Sequence, residues 1–161
     1  MFKMQATAQQ LAAFVNNILN VARVDEDQLV LELNESSWNE VVKSAVDTMA
    51  LRAQVRGITL ETKLADNLPT VGVDRVSVHE VINNLIDNAI KYTGKSTKIL
   101  ISTSLNKEGM VETTVQDWGV GIPENIMGNL FTKFYRDHRN RAQIGGTGLG
   151  LAIVKQLVEP Q

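Results

Sequence analysis

The chain has 161 residues, with 16 lysines and arginines against 18 aspartates and glutamates, a formal charge of -2 and a pI of about 5.7. That is enough for one compact domain, or one domain plus an appended helix, and it provides no global basic field for nucleic acid or an anionic membrane. The absence of cysteine excludes a disulfide frame, a thiolate metal site and a cysteine nucleophile; with no membrane-length apolar run and no secretory signal, a cytoplasmic location is expected.

From Met4 to Arg23, Leu11, Val15, Ile18 and Ala22 recur at a 4-3-4 spacing, widened by Phe14 and Val21. The pattern predicts a helix with an apolar face, packed either in the domain core or in a dimerising two-helix hairpin. Leu29 to Leu33 alternates as a short strand. Ser37 with Glu40 forms a capping-box pattern opening a helix through Val41, Val42, Ala45, Val46 and Met49, closed by Gly57. Ile58 to Leu64 alternates as a strand, and Asp66-Asn67-Leu68-Pro69 predicts a turn.

The stretch Asp74 to Thr93 predicts the central helix, capped by Asp74 and ended by Gly94. Val78, Val81, Ile82, Leu85, Ala89 and Ile90 make its apolar stripe. Glu80, Asn84, Asn88 and Lys91 fall at i, i+4, i+8 and i+11 on another face. That face is either solvated or a ligand row. Asparagine prefers caps and turns to helix interiors, while carboxamide oxygens can ligate Mg²⁺ and a lysine can meet the phosphates it carries.

Thr97 to Leu105 and Met110 to Gln116 predict a hairpin around Asn106-Lys107-Glu108-Gly109. Pro123 opens a short helix, residues 131 to 147 read as a polar basic loop, and a last helix runs from about Gly148 to Val158. Interleaved helices and hairpin strands predict an α+β fold, with helices on one face of a mixed, largely antiparallel sheet.

Two glycine motifs follow the central helix. Asp117-Trp118-Gly119-Val120-Gly121 is either a plain turn or a place where backbone approaches a ligand, with Asp117 placed to accept from an exocyclic amine. Gly145 to Leu151 leads into a helix, where N–H groups make an anion site. A P-loop is excluded because no Lys-Ser or Lys-Thr follows the last glycine. A Rossmann fingerprint is excluded because a polar loop, not a strand, precedes it.

Taken in order, the motifs Asn84 to Tyr92, Asp117 to Gly121, Leu130 to Arg136 and Gly146 to Leu151 make the chain resemble the catalytic, ATP-binding domain of bacterial sensor histidine kinases. That superfamily is shared with gyrase-type ATPases, Hsp90 chaperones and mismatch-repair MutL proteins. The resemblance implies a Bergerat-type two-layer sandwich over residues 28 to 161, and a remnant of the phosphoacceptor hairpin over residues 1 to 27. It implies Mg²⁺ on Asn88 with Asn84 nearby, Lys91 and Tyr92 on phosphate or sugar, and Asp117 on adenine, with Gly119 and Gly121 shaping that end. It further implies a lid over residues 131 to 146 offering Lys133, Arg136, Arg139 and Arg141 to the phosphates, closed by the glycine motif Gly146, Thr147, Gly148, Leu149 and Gly150. Positioning and charge neutralisation are the main requirements of phosphoryl transfer.

In the hydrolysing branches a glutamate stands four residues before the metal asparagine. Here that position is Asn84, which cannot take a proton, so transfer to a protein nucleophile fits better than hydrolysis, with Glu80 as the nearest acid. His79 and His138 are the two histidines, and neither is placed as a phosphoacceptor, so autophosphorylation of this chain alone is not expected. The resemblance implies as partners a separate phosphoacceptor-histidine helix domain, a response regulator indirectly, and a homodimer through the N-terminal helix, without nucleic acid or membrane contact. Ending at Gln161, the chain lacks the further strands usual in the family, and an uncovered sheet edge is expected. The alternatives are a gyrase- or Hsp90-type ATPase and a nucleotide-binding interaction module without effective transfer.

Overall fold

A computed structural model describes residues 31–95, 97–135 and 148–160. In chain order these form β1 (Asn34–Ser37), α1 (Trp38–Val55), β2 (Thr59–Leu64), β3 (Thr70–Val73), α2 (Arg75–Tyr92), β4 (Lys98–Leu105), β5 (Val111–Gln116), α3 (Glu124–Met127) and α4 (Gly150–Val158). The N-terminal helix expected over Met4 to Arg23, and with it the boundary near residue 27, lies outside the described residues.

The strands form a three-stranded mixed sheet in the order β2-β4-β5 and a two-stranded antiparallel ribbon of β1 with β3. β2 runs parallel to β4, Leu60 opposite Ile99, and the two are joined by a connection containing α2. β4 and β5 are antiparallel, Ile101 opposite Val115. Their turn is built on Asn106, whose Oδ1 accepts from the backbone N–H groups of Glu108 and Met110 at 3.0 and 2.9 Å. The α+β class with helices on one face of a mixed sheet is as expected.

α1 and α2 lie side by side on one face of this sheet. Val41, Val42, Ala45, Met49 and Ala53 of α1 meet Val78, Ile82, Ile86, Ala89 and Ile90 of α2 over Ile99 and Ile101 of β4. A second, smaller cluster forms on another flank of α2, where Val81 and Leu85 meet Leu149, Ile153, Val154 and Leu157. α2 is therefore the wall shared by two cores. Leu85 belongs to the smaller one, and Ile86, fully buried, takes the place in the main stripe that the sequence reading gave to Leu85.

α2 opens as expected. Asp74 Oδ1 accepts the Ser77 backbone N–H at 2.8 Å, and its Oδ2 accepts the Glu32 N–H at 2.9 Å. Partial burial pushes the Asp74 carboxyl up, but the backbone donors of Ser77 and Glu32 more than offset this and hold it below the usual aspartate value. α1 closes as expected through Gly57, at φ 69°. The Gly57 N–H reaches Gln54 O at 2.9 Å and that of Ile58 reaches Ala53 O at 3.0 Å.

Two local expectations are corrected. Of the strand expected over Leu29–Leu33 only residues 31–33 are described, and these are not strand; pairing with β3 begins at Asn34 opposite Val73, after Asp74 has drawn the Glu32 backbone to the helix cap. The capping box at Ser37 does not form. Ser37 is the last residue of β1, paired with Thr70, and its hydroxyl makes no cap bond. β3 was not foreseen, being four residues, Thr-Val-Gly-Val, between a turn and a cap.

Candidate nucleotide site

The polar face of α2 carries the amide row at mid-helix. Asn84 Nδ2 donates to the Glu80 carbonyl at 3.0 Å, which orients the carboxamide along the helix. Glu80 thus contributes to the row through its main chain. The other side of the carboxamide meets the first residue of α4: a Cβ built on Gly150 would lie 3.1 Å from Asn84 Oδ1 and 4.0 Å from Asn88 Nδ2. The start of α4 is pressed against both asparagines, and only a residue without a side chain allows that approach unforced. Among the described residues no side chain caps α4. Its first N–H groups, positive end outward, therefore stand beside two carboxamides, an arrangement able to hold a polyphosphate and its cation.

The Asp-Trp-Gly-Val-Gly motif closes against the other end of the same helix. Asp117 Oδ1 accepts the Gly119 N–H at 2.8 Å, making an Asx turn in which Oδ2 takes no part. A Cβ on Gly119 would lie 1.9 Å from the Tyr92 carbonyl oxygen, so glycine is obligatory there. This contact fixes Asp117 relative to Lys91 and Tyr92. Gly121 sits at φ 66° with open space around it, a turn position rather than a packing one. Lys98 Nζ lies 4.9 Å over the ring of Trp118.

Gly148 packs against the main chain of Phe134 and Tyr135. At φ 74°, its Cβ would lie 2.8 Å from both the Phe134 carbonyl carbon and the Tyr135 carbonyl oxygen. Phe134 is itself in the left-handed region at φ 62°, a conformation that a bulky side chain adopts only under constraint. Between Gly121 and Gly148, Ile122, Met127, Phe131 and Phe134 are exposed.

The structure brings Glu80, Asn84, Asn88, Lys91, Tyr92, Asp117, Gly119 and Gly150 onto or against the polar face and C-terminal end of α2, whereas Gly121 has open space around it and Gly148 meets Phe134 and Tyr135. Leu149 is fully buried in the smaller core, so its side chain is out of a ligand's reach. Lys133 is half-buried in the segment before Phe134. Arg136, Arg139, Arg141, Gly146 and Thr147 lie outside the described residues, as does His138. His79 stands off the site. Its Nδ1 is 3.0 Å from Asn83 Nδ2 and its Nε2 3.3 Å from Thr48 Oγ1, both contacts on the α1 side of α2.

Sequence reading missed a charge pair beside the row. Asp87 Oδ2 lies 2.5 Å from Lys91 Nζ, and its Oδ1 lies 2.8 Å from an Arg52 guanidinium nitrogen of α1. The i,i+4 spacing of Asp87 and Lys91 was the available signal; Arg52 had none, because its distance from Asp87 in the chain is closed only by helix packing.

Among the described residues no group of three His, Cys, Asp or Glu could hold a metal. The carboxamide oxygens of the amide row are the hard donors the described part of the site offers a cation. No helix of the described residues is long and apolar enough to cross a membrane.

Residues 73–161 match the sequence pattern of the family described as histidine kinase-, DNA gyrase B-, and HSP90-like ATPase. The chain is 30% identical over 147 residues to the sensor protein RprX of Bacteroides fragilis, covering 90% of this chain and 28% of that protein. It is 34% identical over 171 residues to histidine kinase 5 of Arabidopsis thaliana, covering 90% of this chain and 18% of that protein. The chain thus spans 18% to 28% of the length of these two relatives. Among solved structures, full-length ShkA in complex with AMPPNP superposes with a TM-score of 0.82 at 26% identity, covering 94% of this chain and 31% of that one. The catalytic domain of histidine kinase ThkA superposes at 0.68 with 27% identity, covering 81% of this chain and 82% of that one. With helix, glycine turns and sheet arranged as described, the chain belongs to the histidine kinase-, DNA gyrase B- and HSP90-like ATPase family, and within it is the ATP-binding catalytic domain of a histidine kinase.

Proposed function

We propose that this domain binds Mg²⁺·ATP on the polar face of α2 and presents the γ-phosphoryl group to a histidine on a separate helix pair, from which a response regulator is served. The observation that carries the reading is Gly150, the first residue of α4, seated against Asn84 and Asn88. The helix end supplies N–H donors to phosphate oxygens, and Asn88, with Asn84, supplies amide oxygens to the cation. Mg²⁺ would neutralise charge on the β- and γ-phosphates. Lys91 adds a cation to the phosphates, Tyr92 packs near the sugar, and Asp117 accepts from the adenine amine through Oδ2. Lys133 and Arg136, with the backbone of Gly146, Thr147, Gly148, Leu149 and Gly150, complete the phosphate side.

Asn84 at the position of a hydrolytic base favours transfer over water attack, because an amide cannot accept the proton. Glu80, engaged through its carbonyl, is a substitute for that base only in a minor, hydrolytic side reaction. The exposed apolar side chains of Met127, Phe131 and Phe134 would suit docking of the acceptor helices.

The test is calorimetric binding of AMPPNP, with and without Mg²⁺, to the wild type and to Asn88→Ala, followed by transfer from labelled ATP to an added acceptor-helix domain. Micromolar binding that weakens at least about tenfold on removing either Mg²⁺ or the Asn88 amide supports the site. Binding indifferent to both would overturn the asparagine's role. Nucleotide binding with no transfer to any acceptor would return the domain to the reading of an interaction module.

A further inference from the structure

The geometry points to an exchange of partners at Asp87 that decides when Lys91 is available to a polyphosphate, with Arg52 of α1 as the positioning residue that makes the exchange possible. The inference rests on Lys91 being a phosphate contact. Seven residues beyond Asn84, the Lys91 Cα lies within about 20° of Asn84 around the helix, in the amide row. Its ammonium does not follow that row. It is drawn to the flank facing α1, where Asp87 holds it at 2.5 Å.

An ammonium so paired has its charge largely cancelled and is a poor partner for phosphate. For Lys91 to act on a nucleotide, Asp87 must give it up. The Asp87 side chain is only 18% exposed, and a carboxylate left unpaired at that depth is strongly unfavourable. Arg52 removes this obstacle. It already lies 2.8 Å from Oδ1, the carboxylate oxygen not used by Lys91, so the charge of Asp87 stays compensated after the lysine leaves. Among the described residues Oδ1 has no aligned hydrogen-bond donor, so the Arg52 contact is one of charge rather than directed hydrogen bonding. The Arg52 side chain is 55% exposed and can therefore re-form onto either oxygen with little repacking. Because Arg52 sits on α1, a partner that moves or covers this face of α1 would alter nucleotide affinity without touching the nucleotide.

The experiment measures binding of Mg²⁺·AMPPNP and of adenosine to the full chain, at fixed ionic strength, for Arg52→Met, Asp87→Asn, Lys91→Met and the pairwise doubles. Asp87→Asn frees the ammonium and tightens AMPPNP binding about threefold or more, whereas Arg52→Met strengthens the hold of Asp87 on Lys91 and weakens it by a similar factor. Arg52→Lys restores most of the loss, and adenosine binding is unchanged throughout. The deciding result is the doubles. The Arg52→Met loss vanishes when Asp87 is already Asn or Lys91 already Met. If that loss persists in either background, Arg52 acts only through the general field around the site, and the exchange is refuted. If Lys91→Met leaves the preference for AMPPNP over adenosine intact, it is the underlying reading of Lys91 that fails. If Lys91→Met removes that preference while Asp87→Asn and Arg52→Met shift binding in the same direction or not at all, the exchange alone fails.

Discussion

Replacing Gly150 with alanine separates the site from the scaffold. Gly150 is the first residue of α4 and is not in the left-handed region, so alanine fits its backbone. Alanine exceeds glycine in helix propensity by about 0.8–1.0 kcal/mol in a helix interior and by less at a first turn, so stability should hold or rise by about 0.5 kcal/mol. The new methyl would stand 3.1 Å from Asn84 Oδ1. That is too close by a few tenths of an ångström, and the neighbour that gives way is a side-chain amide rather than backbone. The Asn84 carboxamide is pushed out of line while the fold is untouched. A displacement of that size in a positioning group should weaken AMPPNP binding about three- to tenfold, or about 0.7–1.4 kcal/mol. Thermal unfolding and titration calorimetry on the same preparation read the two effects, which have opposite signs. Unchanged affinity would remove the Gly150–Asn84 contact from the nucleotide site. A stability loss above about 1 kcal/mol would show that the contact is packing.

Gly119→Ala places a methyl 1.9 Å from the Tyr92 carbonyl oxygen, a backbone clash expected to lower stability by about 2 kcal/mol or more in denaturant unfolding. Gly72→Ala, with nothing within 4 Å in strand β3, should change it by no more than about 1 kcal/mol, in the stabilising direction; equal losses at both would refute the clash. Asp74→Asn keeps a capping side chain but removes the charge held by the backbone donors of Ser77 and Glu32. Since that carboxyl is below its ordinary value of 3.8 in the folded state, the wild type's advantage is fully present above pH 3.8 and disappears as the pH falls through the lower folded value. A gap that widens on acidification would contradict the assignment.

Much of this architecture was legible because local signals agreed with the fold. The Asp74 cap, the Gly57 closure, the 3.6-residue stripe of α2 and the hairpin around Asn106 are each set by residues within a few positions of one another. The amide row was legible for the same reason: three of its members lie one turn apart on a single helix. What escaped was set by partners distant in the chain. β1 takes its register from β3 and from Asp74, not from its own alternation, and the Ser37 capping box lost to that pairing. Ile86 and Leu85 exchanged places because α2 buries two faces against two different partners, and a single-stripe reading has room for one. Arg52 was invisible as a site neighbour until α1 packed beside α2.

The sharing of α2 between two cores also sets an order of opening. The larger core ties α2 to α1 and to the sheet, whereas the smaller one holds α4, whose packing is principally against that one helix. Amide protons of α4 should therefore exchange with solvent through a local opening well below the free energy of global unfolding, while those at the middle of α2 report the whole domain. A nucleotide gripped between the start of α4 and the amide row would fasten the looser unit to the firmer one. The helix shared by both cores would then act as the anvil on which α4 is set, and the slowing of α4 exchange would measure how firmly the ligand is held.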